Sequence, residues 1–185
     1  MNNILKIGLA IVILILAYFT YETIAKPIRF QQEKKVRYAA IIKRLKDIRK
    51  AEITYRGKYD AYTGSFDTLV NFLKYDSLPL IKMIGQIPDE LLDSITTKQA
   101  VEMGIIVRDT FYIPVHDSIL QTINVDSLPY IPYTNGEKFE LRAGTIEVSN
   151  TKQDVFECKD TKPFDPNQVL KVGSMVEVST SGNWE

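Results

Sequence analysis

The stretch that decides the fold is residues 7–21, IGLAIVILILAYFTY, fifteen consecutive residues without a charge. Extended to residues 4–24, this apolar run forms a helix of roughly 30 Å, which matches the hydrocarbon core of a bilayer. Lys6 lies near one end, and the aromatic segment 18–21 lies near the other, where an aromatic belt is expected. The sequence therefore predicts a transmembrane anchor over residues 1–25.

A cleaved signal peptide is the alternative interpretation of the same segment. Cleavage after Ala25 would require small residues around the cut, and Thr23-Ile24-Ala25 fits that pattern poorly. Pro27 and the bulky aromatic residues before the site weaken it further. We therefore expect an uncleaved anchor.

The helical pattern continues beyond the anchor, because residues 29–55 contain no Gly or Pro. Pro27 can kink a helix or begin a new one. One face of the segment carries a stripe whose spacing alternates between three and four residues: Tyr38, Ile41, Leu45, Ile48, Glu52 and Tyr55. Residues 26–56 are therefore predicted to form a basic amphipathic helix. Together with the anchor this makes about 53 helical residues, on the order of 80 Å.

Two positions in this helix carry specific expectations. Glu52 is the charged member of the apolar stripe, and we expect its carboxylate to pair with Arg49 or Arg56. Gly57 is the expected end of the helix, because glycine commonly follows the last helical residue.

The formal net charge of zero conceals a segregation of charge along the chain. Residues 26–50 hold ten Lys and Arg against two acids, whereas residues 51–185 hold twelve against twenty. A basic segment beside a bilayer suits anionic lipid headgroups, and each cation near the surface contributes about 1 kcal/mol. Nucleic acid is not an expected partner, because only Tyr38 is available for base stacking. An acidic protein partner is the other alternative.

The same charges bear on topology. Seven Lys and Arg follow the span within about 20 residues, and only Lys6 and the α-amine precede it. Applied literally, the positive-inside rule places the body of the protein in the cytoplasm.

Composition excludes several classes of protein. Cys158 is the only cysteine, so the chain has no internal disulfide, and with the single His116 it falls short of a zinc site. The sequence has no Gly-rich phosphate loop, nucleophile elbow or zincin motif. We therefore expect no catalytic residue, no bound cofactor and no metal, and a protein that is not an enzyme.

Residues 57–185 are predicted to form an α+β head domain. Ser65 is a good N-cap for a helix over 66–73, and Thr96 with Gln99 forms a capping-box pair for a helix ending at 103. Residues 80–95 are ambiguous, and a helical turn beginning at 88–90 is one alternative.

From residue 105 the apolar period changes to two, which is typical of strands. Asn135-Gly136, flanked by Tyr133 and residues 139–141, is the strongest hairpin signal in the chain. The predicted fold class is α+β, with a long N-terminal helix, short helices and a mostly antiparallel sheet. The predicted strands are 105–107, 110–115, 145–148, 155–158, 169–172 and 175–178.

The combination of these features resembles the type IV pilins and the type II secretion pseudopilins. The resemblance covers roughly residues 4–75: a membrane helix that runs into an amphipathic helix, the sequence around Tyr55 and Gly57-Lys58-Tyr59, and a short following helix. It implies a first helix that is half embedded in membrane and half packed on a small sheet. Gly8 lies inside the apolar run rather than before it, so the prepilin peptidase motif is missing. The resemblance therefore implies an architecture and no functional residue.

A few polar residues remain as candidate sites. Asp160, Asp165 and Asn167 lie in one Pro-broken loop and could ligate calcium through oxygen, although polar turn residues are the default interpretation. The calcium alternative is what the resemblance implies, because major pseudopilins hold calcium in a C-terminal loop. His116-Asp117 is interpreted as structural, and Cys158 as a small core residue. The tyrosines could form an interface or pack in the core: Tyr59, Tyr62, Tyr112, Tyr130 and Tyr133.

Two functions follow as expectations. The first is a non-enzymatic, single-pass structural or assembly subunit of a cell-envelope complex, with its head outside the inner membrane and self-association or protein partners along the long helix. The alternative is a membrane-tethered protein-binding module that faces the cytoplasm, as the charge rule prefers.

Overall fold

The structure is a computed structural model, and it describes residues 3–88, 96–118 and 123–185. Its first element, α1 (Asn3–Tyr59), is a single helix of 57 residues and about 85 Å. Pro27 lies inside α1 without ending it. The prediction of one long N-terminal helix is confirmed.

The predicted end of this helix at Gly57 is wrong, because α1 continues to Tyr59. The chain reverses instead at Asp60, which adopts the left-handed conformation with φ 56°. The Asp60 N–H donates to the carbonyl of Arg56 at 2.8 Å and closes the last turn. Asp is one of the few residues other than glycine that adopt this conformation, because its short polar side chain can form local hydrogen bonds.

Two short helices lie where the capping residues predict them. The helix α2 (Phe66–Tyr75) begins after Ser65, whose side chain accepts a hydrogen bond from the Thr68 N–H. The helix α3 (Thr97–Glu102) begins after Thr96, with both hydrogen bonds of the capping box present. The helical turn considered at 88–90 involves residues 89–95, which lie outside the described residues.

A two-stranded antiparallel sheet, hereafter the ribbon, consists of β1 (Ser77–Ile84) and β2 (Val107–Pro114). The sequence predicted a break at Arg108-Asp109, but both residues lie within β2, opposite Met83 and Lys82. Cross-strand pairing therefore overrides the local polarity of these two residues.

The sequence does not predict the strand β1, which contains Pro79. Proline lacks the backbone N–H that a central strand would need, so it is confined to edge strands. In a sheet of two strands each strand is an edge, and Pro79 lies opposite Tyr112 in the ribbon.

A second antiparallel sheet contains β3 (Glu140–Val148), β4 (Thr151–Lys159) and β5 (Lys171–Gly173), in that order. Predicted strands at 145–148, 155–158 and 169–172 fall within or overlap these three. The predicted strand at 175–178 does not form. Gly173 has φ 75°, and a Cβ there would lie 2.2 Å from the Phe156 carbonyl oxygen, so the chain turns away from the ladder at this point.

The β3–β4 hairpin turns at Ser149-Asn150, a turn that the sequence does not predict. Ser149 and Asn150 have φ values of 51° and 61°, the combination that a type I′ turn requires. Asn135-Gly136 instead lies in a loop closed by a single bridge between Tyr130 and Lys138. Prolines at 129 and 132 cannot donate to a ladder, so no longer pairing develops there.

The core lies between the C-terminal half of α1, α2 and the three-stranded sheet. The α1 stripe supplies four of its buried apolar residues, and Ala51 of the same helix supplies a fifth: Tyr38, Ile41, Leu45, Ile48 and Ala51. Phe156 of β4 and Leu69 and Leu73 of α2 are completely buried against them. The fold is α+β, 44% helical and 24% strand, as predicted.

Candidate membrane anchor and interaction surfaces

The N-terminal part of α1 is exposed and does not pack against the head. Among the described residues, α1 is the one helix long and apolar enough to cross a membrane, with an 18-residue window of mean hydropathy 2.0, none of it buried. Every residue from 7 to 21 is exposed. A helix satisfies its backbone hydrogen bonds internally, which is the condition for entering lipid.

Polar groups inside this segment are also satisfied locally. The hydroxyls of Thr20 and Thr23 donate to the carbonyls of Leu16 and Phe19, each at 2.8 Å. A hydroxyl bonded within its own helix does not present an unpaired donor to lipid. The segment is therefore compatible with a membrane in its side chains as well as its backbone.

Charge begins where the apolar run ends. The Glu22 carboxylate lies 2.9 Å from the Arg29 guanidinium and 3.6 Å from the Lys26 ammonium. These exposed pairs lie one to two turns past Tyr21. They fix the position at which α1 would leave a hydrocarbon layer.

The head first touches α1 a few residues later, through the loop 162–168. The Lys34 ammonium lies 2.5 Å from the Asp165 carboxylate. The Tyr38 hydroxyl donates to the Gln168 carbonyl at 2.8 Å, and the Phe164 ring stacks on Phe30 with centroids 5.0 Å apart. These contacts clamp the loop to the helix at the anchor-proximal end of the head.

Further along α1, basic residues also meet acids of the head. The Arg49 guanidinium lies 2.8 Å from the Glu185 carboxylate at the C-terminus, and Lys58 pairs with Asp76. The Lys34–Asp165 and Arg49–Glu185 pairs therefore bring together charges that are segregated in sequence, whereas Lys58 and Asp76 both belong to residues 51–185. Part of the basic segment holds the head rather than facing lipid.

The candidate calcium residues are engaged in other contacts. The Asp165 carboxylate accepts from Lys34 and from the Asn167 backbone N–H, and the Lys34 ammonium holds the pKa of Asp165 below its usual range. Asp160 is buried, accepts from the Lys162 N–H, and has its pKa raised by burial. Within residues 3–88, 96–118 and 123–185, no three His, Cys, Asp or Glu side chains are grouped to hold a metal.

The remaining sequence candidates lie apart from one another. The His116 ring faces Asp117 at 3.5 Å on the surface of a short 3-10 turn, Val115–Asp117. Cys158 is completely buried in β4, as predicted, and burial raises the pKa of its thiol well above the usual value. Of the five tyrosines, Tyr62 packs on the Phe156 ring, with centroids 4.7 Å apart. The other four are between 41% and 71% exposed.

The predicted ion pair of Glu52 with Arg49 or Arg56 is wrong. Glu52 is completely buried, and its Oε2 accepts from the Thr63 N–H at 3.0 Å, while Oε1 has no hydrogen-bond partner among the described residues. Arg49 reaches Glu185, and Arg56 donates to the Tyr62 hydroxyl at 3.2 Å. Since Glu52 points into the core, burial raises its pKa from the usual 4.5 to about 8.

The ribbon is the surface that sequence reasoning missed. Residues 79–84 and 107–112 are all exposed, although the ribbon is rich in apolar side chains. Those more than 40% exposed are Leu80, Ile81, Met83, Ile84, Val107, Phe111 and Tyr112. A clean alternation of apolar and polar residues would have signalled a strand with one covered face. Here both faces are largely apolar and both are bare, so that signal is missing.

No protein-family model matches this sequence, and neither a curated protein nor a solved structure is significantly similar to it. The fold by itself shows an α+β head on a long helix whose N-terminal part could span a membrane.

Proposed function

We propose that this protein is a single-pass membrane-anchored structural or assembly subunit of a cell-envelope complex, with its head outside the inner membrane. The head would be displayed on α1 and would act by contact rather than by catalysis. The pilin- or pseudopilin-like arrangement belongs to this proposal.

One observation carries the proposal: a single helix serves both as apolar anchor and as core element of the head. Residues 7–21 are bare, whereas Leu45, Ile48 and Ala51 of the same helix are completely buried. A helix shared in this way couples the head rigidly to the anchor. An enzyme that only needs tethering gains nothing from such coupling, whereas a subunit that transmits position or force does.

Anionic lipid headgroups are proposed as partners of residues 26–50. The exposed cations that follow the apolar run, Lys26, Arg29 and Lys35, lie within about 21 Å of Tyr21 along the helix. Lys34 and Arg49 are used by the head instead. The lipid contribution is therefore expected to come from the first turns of the segment.

The cytoplasm-facing binding module is kept as the second candidate, because the excess of cations after the span favours it. Both candidates have the same fold and the same anchor. They differ only in the side of the membrane that holds the head.

A labelling experiment separates the two candidates. Val176 is 80% exposed on the head, so Val176→Cys provides an accessible thiol, while buried Cys158 stays unlabelled in the folded chain. The proposal predicts labelling by a membrane-impermeant maleimide once the outer layers of the cell are permeable and the inner membrane is intact. Labelling only after the inner membrane is broken would contradict it. Wild type, with Cys158 alone, is the control.

A further inference from the structure

A cavity of about 300 Å³ lies between the middle of α1 and a loop of the head, residues 124–133. Its lining includes three charged residues from one face of α1 and three residues from the loop: Lys43, Arg44, Asp47, Asn124, Pro132 and Tyr133. The volume lies at the lower end of the range for sites that hold small molecules. We therefore ask which ligand the lining suits.

Arg44 carries a charge without a counter-ion. Its Nη1 is buried and has no hydrogen-bond partner, and among the described residues its guanidinium forms no ion pair within 4.0 Å. Burial lowers the pKa of Arg44, so the surroundings disfavour its charged form. A guanidinium nevertheless stays protonated in a protein. A partly buried guanidinium is costly until an anion approaches it, and the cavity beside Arg44 gives an anion room to do so.

The other polar groups of the lining also favour an anion. Lys43 adds an exposed cation. The Asn124 Oδ1 accepts from the Ser127 N–H at 3.3 Å, which leaves the Asn124 amide nitrogen as a donor. Asp47 is an acid in the same lining. Two cations against this acid leave the described lining with a net positive charge.

Tyr133 and Pro132 form an apolar wall beside these charged groups. Tyr133 has φ 62°, a conformation that is rare for a bulky residue. Strained backbone of this kind concentrates at functional sites. A ligand with a small organic part next to its anionic group would contact both the cations and this wall.

A bilayer does not reach the cavity. Arg44 lies about 34 Å along α1 past Tyr21. The headgroup region of one leaflet is only about 5–8 Å deep, and membrane helices tilt by about 20° on average. Lipid around residues 7–21 therefore leaves Arg44 in water, and the anion has to come from solution.

We propose that this cavity binds a small organic oxyanion, a carboxylate or a phosphate monoester. Arg44 and Lys43 hold the charged group of the ligand, the Asn124 amide donates to it, and Tyr133 contacts its organic part. Planar guanidinium groups suit the oxygen atoms of both carboxylates and phosphates. This binding and the structural role proposed above do not depend on each other.

Titration calorimetry with two soluble probes tests the site. The full chain in nanodiscs is titrated with phenyl phosphate and with benzoate at about 0.15 M salt, where attraction between distant charges is screened. At least one probe should bind, with one molecule per chain. Binding of phenyl phosphate alone would assign the site to phosphate monoesters, and binding of benzoate alone would assign it to carboxylates. Binding of neither probe would overturn the proposal.

Three substitutions on α1 separate the cavity from the general charge of the helix. Arg44→Gln should weaken probe binding about tenfold or more, because it removes a charged donor. Asp47→Asn should tighten binding, because it removes a like charge from the lining. Lys46→Gln is the matched control: Lys46 is exposed on the same helix outside the described lining, so its loss should leave binding unchanged. Equal losses for Lys46→Gln and Arg44→Gln would overturn the proposal.

Two further measurements guard the interpretation. Circular dichroism checks that each variant is folded. Nanodiscs of phosphatidylcholine and of phosphatidylglycerol should give the same probe affinity, because the cavity lies several Debye lengths from the bilayer. Weaker probe binding in phosphatidylglycerol would identify a lipid headgroup as the occupant and overturn the assignment to a soluble anion.

Discussion

The anchor segment of α1 and the ribbon are both apolar and bare, yet their backbones differ. The helix bonds its own N–H and C=O groups, so its bare side chains can be covered by lipid. Among the residues that the structure describes, the ribbon leaves one edge of each strand unpaired, so its cover has to supply hydrogen bonds as well as apolar contact. The exposure of apolar side chains therefore does not by itself identify what covers a surface. It also matters whether the backbone N–H and C=O groups of that surface are already hydrogen-bonded.

The largest effect is expected from charges placed in the anchor. Ile13→Asp together with Leu16→Asp should remove the chain from the membrane fraction, because each acid at the centre of a span costs about 2.5–3.5 kcal/mol. Alkaline extraction of membranes measures the retained fraction. Two Asp substitutions on the ribbon, Leu80→Asp with Tyr112→Asp, should leave the membrane-retained fraction unchanged. Loss of the ribbon variant from the membrane fraction would show that the ribbon also contributes to membrane retention.

A pair of Phe→Ala variants compares the ribbon with the packed sheet. Phe156 is completely buried, so Phe156→Ala should destabilise the head by about 3–5 kcal/mol. Phe111→Ala, on the ribbon, should change the stability of the isolated chain by about 1 kcal/mol or less. Denaturant unfolding followed by Trp184 fluorescence measures both. Similar losses for the two variants would mean that the ribbon is covered within the chain.

Glu52 lies in the half of α1 that packs against the head, and it should make the free energy of unfolding depend on pH. Below pH 4.5 its carboxyl is protonated in both states, whereas between 4.5 and about 8 it ionises only in the unfolded chain. Stability should therefore fall as pH rises through this window, by at most about 5 kcal/mol.

Replacement of Glu52 should remove that slope. Glu52→Gln should match wild type near pH 4 and be more stable at pH 9, as measured by denaturant unfolding at each pH. Glu147→Gln, on an exposed position of β3, is the control and should follow wild type. Equal pH slopes for Glu52→Gln and wild type would show that Glu52 is hydrated in the folded head.

The smallest effect is expected where the helix meets the loop 162–168. Lys34→Ala should lower the stability of the head slightly, and by clearly less when Asp165 is already Ala, because the two side chains form an ion pair. Lys35→Ala, at the exposed neighbouring position, should leave stability unchanged and weaken binding of the chain to anionic vesicles. The reverse outcome would exchange the roles assigned to the two lysines.

The elements that sequence could predict are those with a local signal. The apolar run, the α1 stripe and the caps at Ser65 and Thr96 each depend on residues close in sequence, and each is found in the structure. Cys158 was also placed correctly, because its strand alternates in the usual way.

The features that sequence missed depend on distant partners. β1 forms through Pro79 because β2, about 30 residues away, supplies its ladder. The β3–β4 turn at Ser149-Asn150 lacks the Asn-Gly signature. That signature occurs at residues 135–136 and predicted a hairpin there. Glu52 follows the helical stripe, but only the surrounding head shows that its carboxylate is buried without a cation. Strands that are exposed and apolar on both faces, as in the ribbon, lack the apolar–polar alternation by which a strand is predicted from sequence.

The most direct test of the central claim measures lipid contact at both bare surfaces. Leu14→Cys and Leu80→Cys, at positions 70% and 53% exposed, are labelled separately with an environment-sensitive fluorophore and reconstituted in vesicles whose acyl chains carry bromine. With the anchor in lipid and the ribbon outside it, we expect strong quenching of the label at 14 and none at 80. Quenching at 80 comparable with that at 14, or no quenching at 14, would contradict it.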